Sequence, residues 1–354
     1  MPKKKTILVA PLHWGLGHAT RCIPIIRALL AHHFNVLIAS DGAALLLLQK
    51  EFPALETVEL PAYHITYPKD GRHFKWKMLF KFPQFKKTMA EENKLVAQLV
   101  EQGRIQGIIS DNRFAVRNSG VPSVYITHQV GVLSGSTSFI SRKWHQNIIK
   151  KFDACWVPDV ADKAANLSGK LGHPKKPFPV HYMGPLSRMQ KKNLPKTIAV
   201  LLLLSGPEPQ RSLFEEKLKS IFAESEKEIL LVRGLVEKTQ QWGRYGNIKT
   251  VNFLQSNELE TVINTSEIVV SRSGYTTLMD LCALGKAAFF IPTPGQFEQE
   301  YLAKRLNDLK IAPSCEQADF NLKKLQEISS YKGMGTLVQQ AADFSGLFSL
   351  FQGK

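Results

Sequence analysis

Thr6-Ile7-Leu8-Val9-Ala10-Pro11, running into Leu12-His13-Trp14-Gly15-Leu16-Gly17-His18-Ala19-Thr20-Arg21, is the stretch that decides the fold. A short apolar run meets a loop with two glycines, and Ile23, Ile26, Ala28, Leu29 and Leu30 then recur at near-helical spacing. That is the strand, loop and helix that open a βαβ unit. Outward from it the rhythm repeats. Residues 36–39, 57–60, 107–110, 123–127 and 154–158 read as further strands, with a helical candidate at 91–101. After Gly184-Pro185 a polar stretch precedes Ile198, and the alternation restarts with strands at 198–204, 229–232, 249–251, 268–271 and 287–291. Helices are expected from about Gln210, Glu258, Tyr275, Phe297 and Asn321. Short apolar runs alternating with helices predict parallel sheets covered on both faces.

The expected architecture is therefore α/β, with two doubly wound Rossmann-like domains whose parallel sheets face across a cleft. Residues 1–185 form the first domain, 186–196 the linker and 197–330 the second domain; 331–354 form a C-terminal helix packing back on the first domain. Ligands of such domains bind at the carboxyl ends of the strands, so the loops there should carry the chemistry.

Composition narrows the classes. The chain has 354 residues, 44% of them hydrophobic and 21% charged, which is too apolar for disorder. Its longest apolar stretches are too short to span a bilayer. Lys3-Lys4-Lys5 resembles the charged start of a signal peptide, but Pro11, His13 and Trp14 interrupt the apolar segment, so a buried first strand is expected instead. Cys22, Cys155, Cys282 and Cys315 lie far apart, which implies neither a zinc site nor a disulfide framework and fits a reducing cytoplasm. The formal charge of +16 calls for acidic partners or a charged surface.

The Gly15, Gly17, His18 loop lets backbone approach a ligand and aims helix amides at an anion. A dinucleotide fingerprint would need Gly or Ala at Thr20, although Asp41 after the second strand could mimic its ribose-binding acid. A tight turn with His18 as a helix-start hydrogen bonder is the alternative. The densest block is Val269-Val270-Ser271-Arg272-Ser273-Gly274-Tyr275-Thr276-Thr277-Leu278-Met279-Asp280, followed by Pro292-Thr293-Pro294-Gly295-Gln296-Phe297-Glu298-Gln299. Ser273, Gly274 and Thr276 at a helix start offer amides and hydroxyls to a phosphate. Asp280, about one and a half turns on, could accept ribose hydroxyls.

This block resembles the nucleotide-sugar donor site of GT-B glycosyltransferases, particularly the family 28 group that contains MurG. The resemblance runs through most of the chain in order. Gly15 to His18 corresponds to the family's Gly-rich loop, Val121-Pro122-Ser123-Val124-Tyr125-Ile126-Thr127-His128-Gln129 to its HEQN region, and Met183-Gly184-Pro185-Leu186-Ser187-Arg188 to its interdomain segment. Ser205 and Gly206 stand where the family has a phosphate loop, and Leu254 where its backbone reads uracil. Gln129, Asp280 and Leu302 depart from the family pattern, and Pro207 and Pro209 remove amides from the 205–211 loop.

The resemblance implies an inverting, metal-independent hexosyltransferase with no cofactor, drawing on a nucleotide-sugar, UDP-linked first of all. His18 would be the base, paired with Asp111 at the end of a predicted strand, a carboxylate expected to favour the protonated imidazole. Asp111 as a helix N-cap and His128 as the base are the alternatives. Donor contacts would come from Arg188, Ser205, Gly206, Leu254, Arg272, Ser273, Gly274, Tyr275, Thr276, Asp280, Gln296, Glu298 and Gln299, and acceptor contacts from Gly15, Gly17 and His128. Residues 72–87 interleave basic and aromatic side chains. Lys75, Trp76, Lys77, Phe80 and Lys81 there suit an anionic membrane surface and a lipid-linked acceptor at the inner face of the cytoplasmic membrane. An inward-packed amphipathic helix explains the same stripe, and no motif supports nucleic-acid binding. A UDP-sugar 2-epimerase-like isomerase and a degenerate, non-catalytic GT-B binding protein stay open.

Overall fold

The computed structural model describes residues 4–63, 82–132, 138–337 and 342–353. They divide into two compact units, one holding residues 4–63, 82–132, 138–186 and 342–353 and the other residues 187–337. Residues 72–81, with the five membrane candidates, lie outside the described residues.

The first unit is built on seven strands: β1 (Thr6–Pro11), β2 (Asn35–Ser40), β3 (Thr57–Glu59), β4 (Gly107–Asp111), β5 (Ser123–Ile126), β6 (Ala154–Val157) and β7 (His181–Tyr182). They form one parallel sheet in the order β3-β2-β1-β4-β5-β6-β7. Helices α1 (Gly17–Ala31), α2 (Gly42–Glu51), α3 (Phe82–Glu101) and α4 (Ser138–Ile149) belong to the same unit. Successive side chains of β1 point to opposite faces, and Ile7, Leu8, Val9 and Ala10 are all fully buried, so both faces are covered. Leu8, Ala10, Leu37, Ala39 and Ile108 pack with Val96 and Leu99 of α3 on one face. The chain's end also joins this unit. Phe348 and Phe351 pack edge-on against Phe34 and close to Trp156. A Cβ at Gly107 would fall 2.6 Å from the Phe351 ring, so only glycine admits that ring at the start of β4.

The second unit contains β8 (Ile198–Leu203), β9 (Ile229–Val232), β10 (Trp242–Tyr245), β11 (Ile248–Val251), β12 (Ser266–Ser271) and β13 (Ala287–Phe290). Their order is β10-β11-β9-β8-β12-β13, parallel except for the β10–β11 hairpin. Four helices alternate with them: α5 (Gln210–Phe222), α6 (Ser256–Thr265), α7 (Tyr275–Leu284) and α8 (Phe297–Asp308). Val200, Leu202, Phe214, Leu218, Phe222, Leu231, Val270 and Phe289 form the main core. The segment after Leu186 is tied to α6: Gln190 N donates to Glu260 at 2.7 Å and Lys192 N to Asn264 Oδ1 at 2.9 Å. Those bonds draw the polar stretch expected as a linker into the second unit.

In each sheet the strand order reverses at one place, between β1 and β4 in the first unit and between β8 and β12 in the second. The carboxyl edge at such a reversal is where two neighbouring loops part and leave a crevice.

Candidate functional site

At the first reversal β1 and β4 end level, with Pro11 in register with Asp111. Asn112 adopts a left-handed backbone (φ 60°), a conformation asparagine tolerates, and turns the chain away at once. Asp111 is left fully buried at the strand end. On the β1 side Gly15, at φ 84°, lets the loop turn into α1. No side chain caps that helix start, so His18 is not a capping residue. Its Nδ1–H donates to Asp111 Oδ1 at 2.8 Å. Arg21 Nη2 also lies 2.9 Å from that Nδ1; the carboxylate, which only accepts, is the nearer partner, so we assign the proton to Nδ1 and the lone pair to Nε2.

Arg21, one turn further along α1, completes the group. Its Nε donates to Asp111 Oδ2 at 2.5 Å, its Nη2 to Asp111 Oδ1, and its Nη1 to His128 Nδ1 at 2.8 Å. Cys22 Sγ stands 3.6 Å from Asp111 Oδ2, and burial together with the Asp111 charge pushes its thiol well up, so it stays protonated. Burial opposes ionisation of Asp111, but the Arg21 cation and the His18 and Arg21 hydrogen bonds outweigh it and hold the carboxyl well below the usual carboxylate range. Burial and Arg21 together push His18 below the ordinary 6.5, with Asp111 opposing them only in part. Asp111 favours the imidazolium, as expected of a carboxylate, but burial and then the Arg21 charge outweigh it, so His18 is neutral at pH 7 and equipped to accept a proton. His128, 4% exposed, supports Arg21 with its Nδ1 and belongs to the same cluster as His18.

Asp111 is thereby excluded as a helix cap, its oxygens being committed to His18 and Arg21. Asp41 is likewise no ribose acceptor, because Arg113 takes Oδ1 and His13 Nδ1 lies 3.0 Å from Oδ2.

At the second reversal the loops after β8 and β12 differ sharply. In the first, Glu208 folds over the start of α5, accepting from Ser212 N at 3.2 Å and Arg211 Nε at 2.7 Å. A carboxylate thus occupies the amide end of α5, beside Ser205 and Gly206 (φ 104°), where the resemblance would seat a phosphate. The loop after β12 is open: a Cβ on Gly274 would meet nothing within 4 Å, and no side-chain hydrogen bond caps α7. Tyr275 is buried and Thr276 partly exposed at that helix start. Ser273 Oγ donates to Gln299 O at 2.8 Å, while Gln299 Oε1 accepts from Thr293 N at 2.8 Å, so Gln299 braces the loop after β13. Gln296 and Glu298, at the start of α8, are both partly exposed, and Leu254 is buried after β11.

Asp280 faces Ser187, whose hydroxyl donates to Oδ1 at 2.8 Å. Burial pushes its carboxyl up, and the Arg188 cation and the Ser187 bond pull against it. Arg272 departs from expectation most. It is fully buried, donating to the carbonyls of Ile291 and Pro292 at 3.1 and 2.9 Å and to Gln317 Oε1 at 2.6 Å. It is a tie within the unit, because those bonds turn its guanidinium inward from any diphosphate. Arg21, His13 and Ser187 were not singled out in the sequence; the signal for Arg21 was its place three residues after His18, on one helix face.

Residues 201–330 match the Glycosyltransferase family 28 C-terminal domain. A Bacillus cereus protein named UDP-N-acetylglucosamine--N-acetylmuramyl-(pentapeptide) pyrophosphoryl-undecaprenol N-acetylglucosamine transferase 1 is 27% identical over 190 residues, 51% of this chain and 50% of that protein. The chain spans half or less of the length of such curated relatives. Among solved structures, the glycosyltransferase of kitacinnamycin superposes with a TM-score of 0.63 at 15% identity, covering 99% of this chain and 96% of that one. MurG of Acinetobacter baumannii gives 0.52 at 14% identity, covering 92% and 90%. The resemblance read from the motifs is borne out, and the fold is GT-B.

Proposed function

We propose that this GT-B chain, whose residues 201–330 are a family 28 C-terminal domain, is an inverting glycosyltransferase. The observation that carries the reading is the His18–Asp111–Arg21 cluster, a neutral imidazole oriented by a buried ionised carboxylate at the strand-order reversal. His18 Nε2 takes the proton of an acceptor hydroxyl as its oxygen bonds to the anomeric carbon. The bond from that carbon to the donor phosphate breaks, and the nucleotide diphosphate leaves with its electron pair. Asp111 stabilises the imidazolium as it forms. The amide end of α7 beside Gly274 offsets charge on the departing diphosphate, and Asp280, set by Ser187, takes the ribose hydroxyls. The relative's printed name supports a UDP-linked donor and a lipid-linked acceptor, and the basic segment at 72–87 supports action at the inner face of the cytoplasmic membrane. Among the described residues no helix is long and apolar enough to cross a membrane.

Two measurements test the donor and base assignments. UDP at roughly 100 times its Kd adds about 2.7 kcal/mol of stability, read as a rise in Tm; Asp280→Ala should abolish that rise, and a wild-type protein unmoved by UDP, dTDP, ADP or GDP would remove the donor site. In kcat/KM against pH, the acid limb should lie below 6.5, because His18 is held neutral by burial and Arg21. A limb above 7 would contradict the cluster.

A further inference from the structure

His18 is not the only imidazole of its kind in the first unit. His13 Nδ1–H donates to Asp41 Oδ2 at 3.0 Å, Arg113 pairs with Asp41 Oδ1, and Asp41 directly follows β2, the other neighbour of β1. Arg113 is fully buried and anchored on all sides, by Pro11 O at 3.1 Å, Pro61 O at 3.3 Å and Glu92 Oε1 at 2.6 Å, while Tyr63 donates to Glu92 Oε2 at 2.5 Å. Histidine, aspartate and arginine thus recur on either side of β1, once at the end of β4 and once at the end of β2.

The His13 ring is also held by shape. A Cβ on Gly42, the first residue of α2 (φ 52°), would fall 2.4 Å from His13 Cε1 and 2.5 Å from Nδ1. Only glycine leaves room for the imidazole against that backbone. With Nδ1 on Asp41 and one edge on Gly42, 30% of the side chain is still exposed, and Nε2 is the ring nitrogen not committed to Asp41. Burial and Arg113 push His13 below 6.5, so Nε2 presents a lone pair at neutral pH. A lone pair in front of a carboxylate repels phosphate oxygens and accepts from hydroxyls.

We propose that His13 is a specificity-determining residue that binds a second hydroxyl of the acceptor, so that the acceptor is a polyhydroxylated, sugar-like group rather than a simple alcohol. The inference rests on the transferase reading for the word acceptor. Neighbouring strands lie about 4.8 Å apart, which places the ends of β2 and β4 roughly 10 Å from each other. A ligand touching both imidazoles must be wide enough to bridge that edge.

The test uses octyl β-D-glucoside below its micelle concentration and 1-octanol, which share the alkyl chain and differ in hydroxyl number. Carbethoxylation of His13, followed by peptide mass spectrometry, should slow at least five-fold with the glucoside and stay at the unliganded rate with octanol. Equal protection by both compounds, or by neither, overturns the proposal. In turnover, His13→Ala should raise KM for a glycoside acceptor about ten-fold with kcat within two-fold and donor KM unchanged, and His13→Gln should restore part of the loss. Gly42→Ala, which displaces the ring without touching ligand, should reproduce the His13→Ala result. A wild-type protein that protects His13 yet transfers no sugar would sink the transferase reading and leave the hydroxyl site standing.

Discussion

Asp111→Asn is expected to lower kcat about 10³- to 10⁴-fold and to destabilise the protein, whereas His18→Ala lowers kcat by roughly 10²- to 10⁴-fold with little change in Tm. The difference follows from what each side chain holds. His18 is partly exposed and bonds Asp111 through one nitrogen, so its loss removes the base and leaves Asp111 paired with Arg21. An amide at 111 presents a donor where His18 Nδ1–H needs an acceptor, which imposes the wrong tautomer. It also leaves Arg21, 1% exposed, as a buried cation without its counter-charge, a situation that costs about 3–5 kcal/mol. Removing both charges separates the two effects. In Arg21→Met with Asp111→Leu neither ion of this pair remains, so most of the stability should return while turnover does not. A double variant that turns over at the wild-type rate would remove Asp111 and Arg21 from the mechanism. UDP affinity in all three proteins should match wild type, because the residues proposed to hold the donor belong to the other unit.

The sheets were readable because each central strand is a short apolar run closed by Gly, Pro or a polar residue, as Thr6–Pro11 and Ile198–Leu203 show. Strands without that contrast escaped. Residues Trp242 to Tyr245 are exposed throughout and pair only with β11, and β7 is two residues long, so neither imprints an alternation. The helix expected from Asn321 is a 3-10 helix, Leu322–Ser330. Ser329 and Ser330 donate back to the carbonyls of Gln326 and Glu327, the local bonding by which serine competes with regular helix. Strand ends also marked His18 and Asp111. What could not be read was the pairing of buried charges. Arg21 meets Asp111 across 90 residues and Arg113 meets Asp41 across 72, and nothing local distinguishes such an arginine from a solvated one. The net His18 shift is downward because burial first, and the Arg21 charge with it, outweigh the Asp111 charge that alone was counted in the sequence. The same blindness placed Arg272 against a diphosphate.

Arg272→Met is therefore expected to act on stability first. The guanidinium sits directly after β12, at the reversal of the second sheet, and binds the carbonyls of Ile291 and Pro292 that open the loop after β13, with Gln210 O at 3.3 Å and Gln317 besides. Its carbon lies 3.9 Å from the centre of the Phe214 ring, a stacking that also fixes α5. Burial pushes the group down only to about 9, so it stays charged at pH 7 and its donors stay strong. Methionine fills much of the volume but donates nothing, which leaves several buried acceptors unsatisfied at about 1–3 kcal/mol each. With partial relaxation the net loss should be about 3–5 kcal/mol, roughly 10–15 °C in Tm for a unit of this size. Arg272→Lys should recover little, because one ammonium cannot reach carbonyls spread over a planar fork. Below its own Tm the Met variant should bind UDP with an affinity within a few-fold of wild type, since the open helix start at Gly274 does not depend on the Arg272 charge. The opposite pattern, an unchanged Tm with UDP binding lost, would return Arg272 to the diphosphate. Denaturation midpoints and UDP titrations on the same preparations decide between the two.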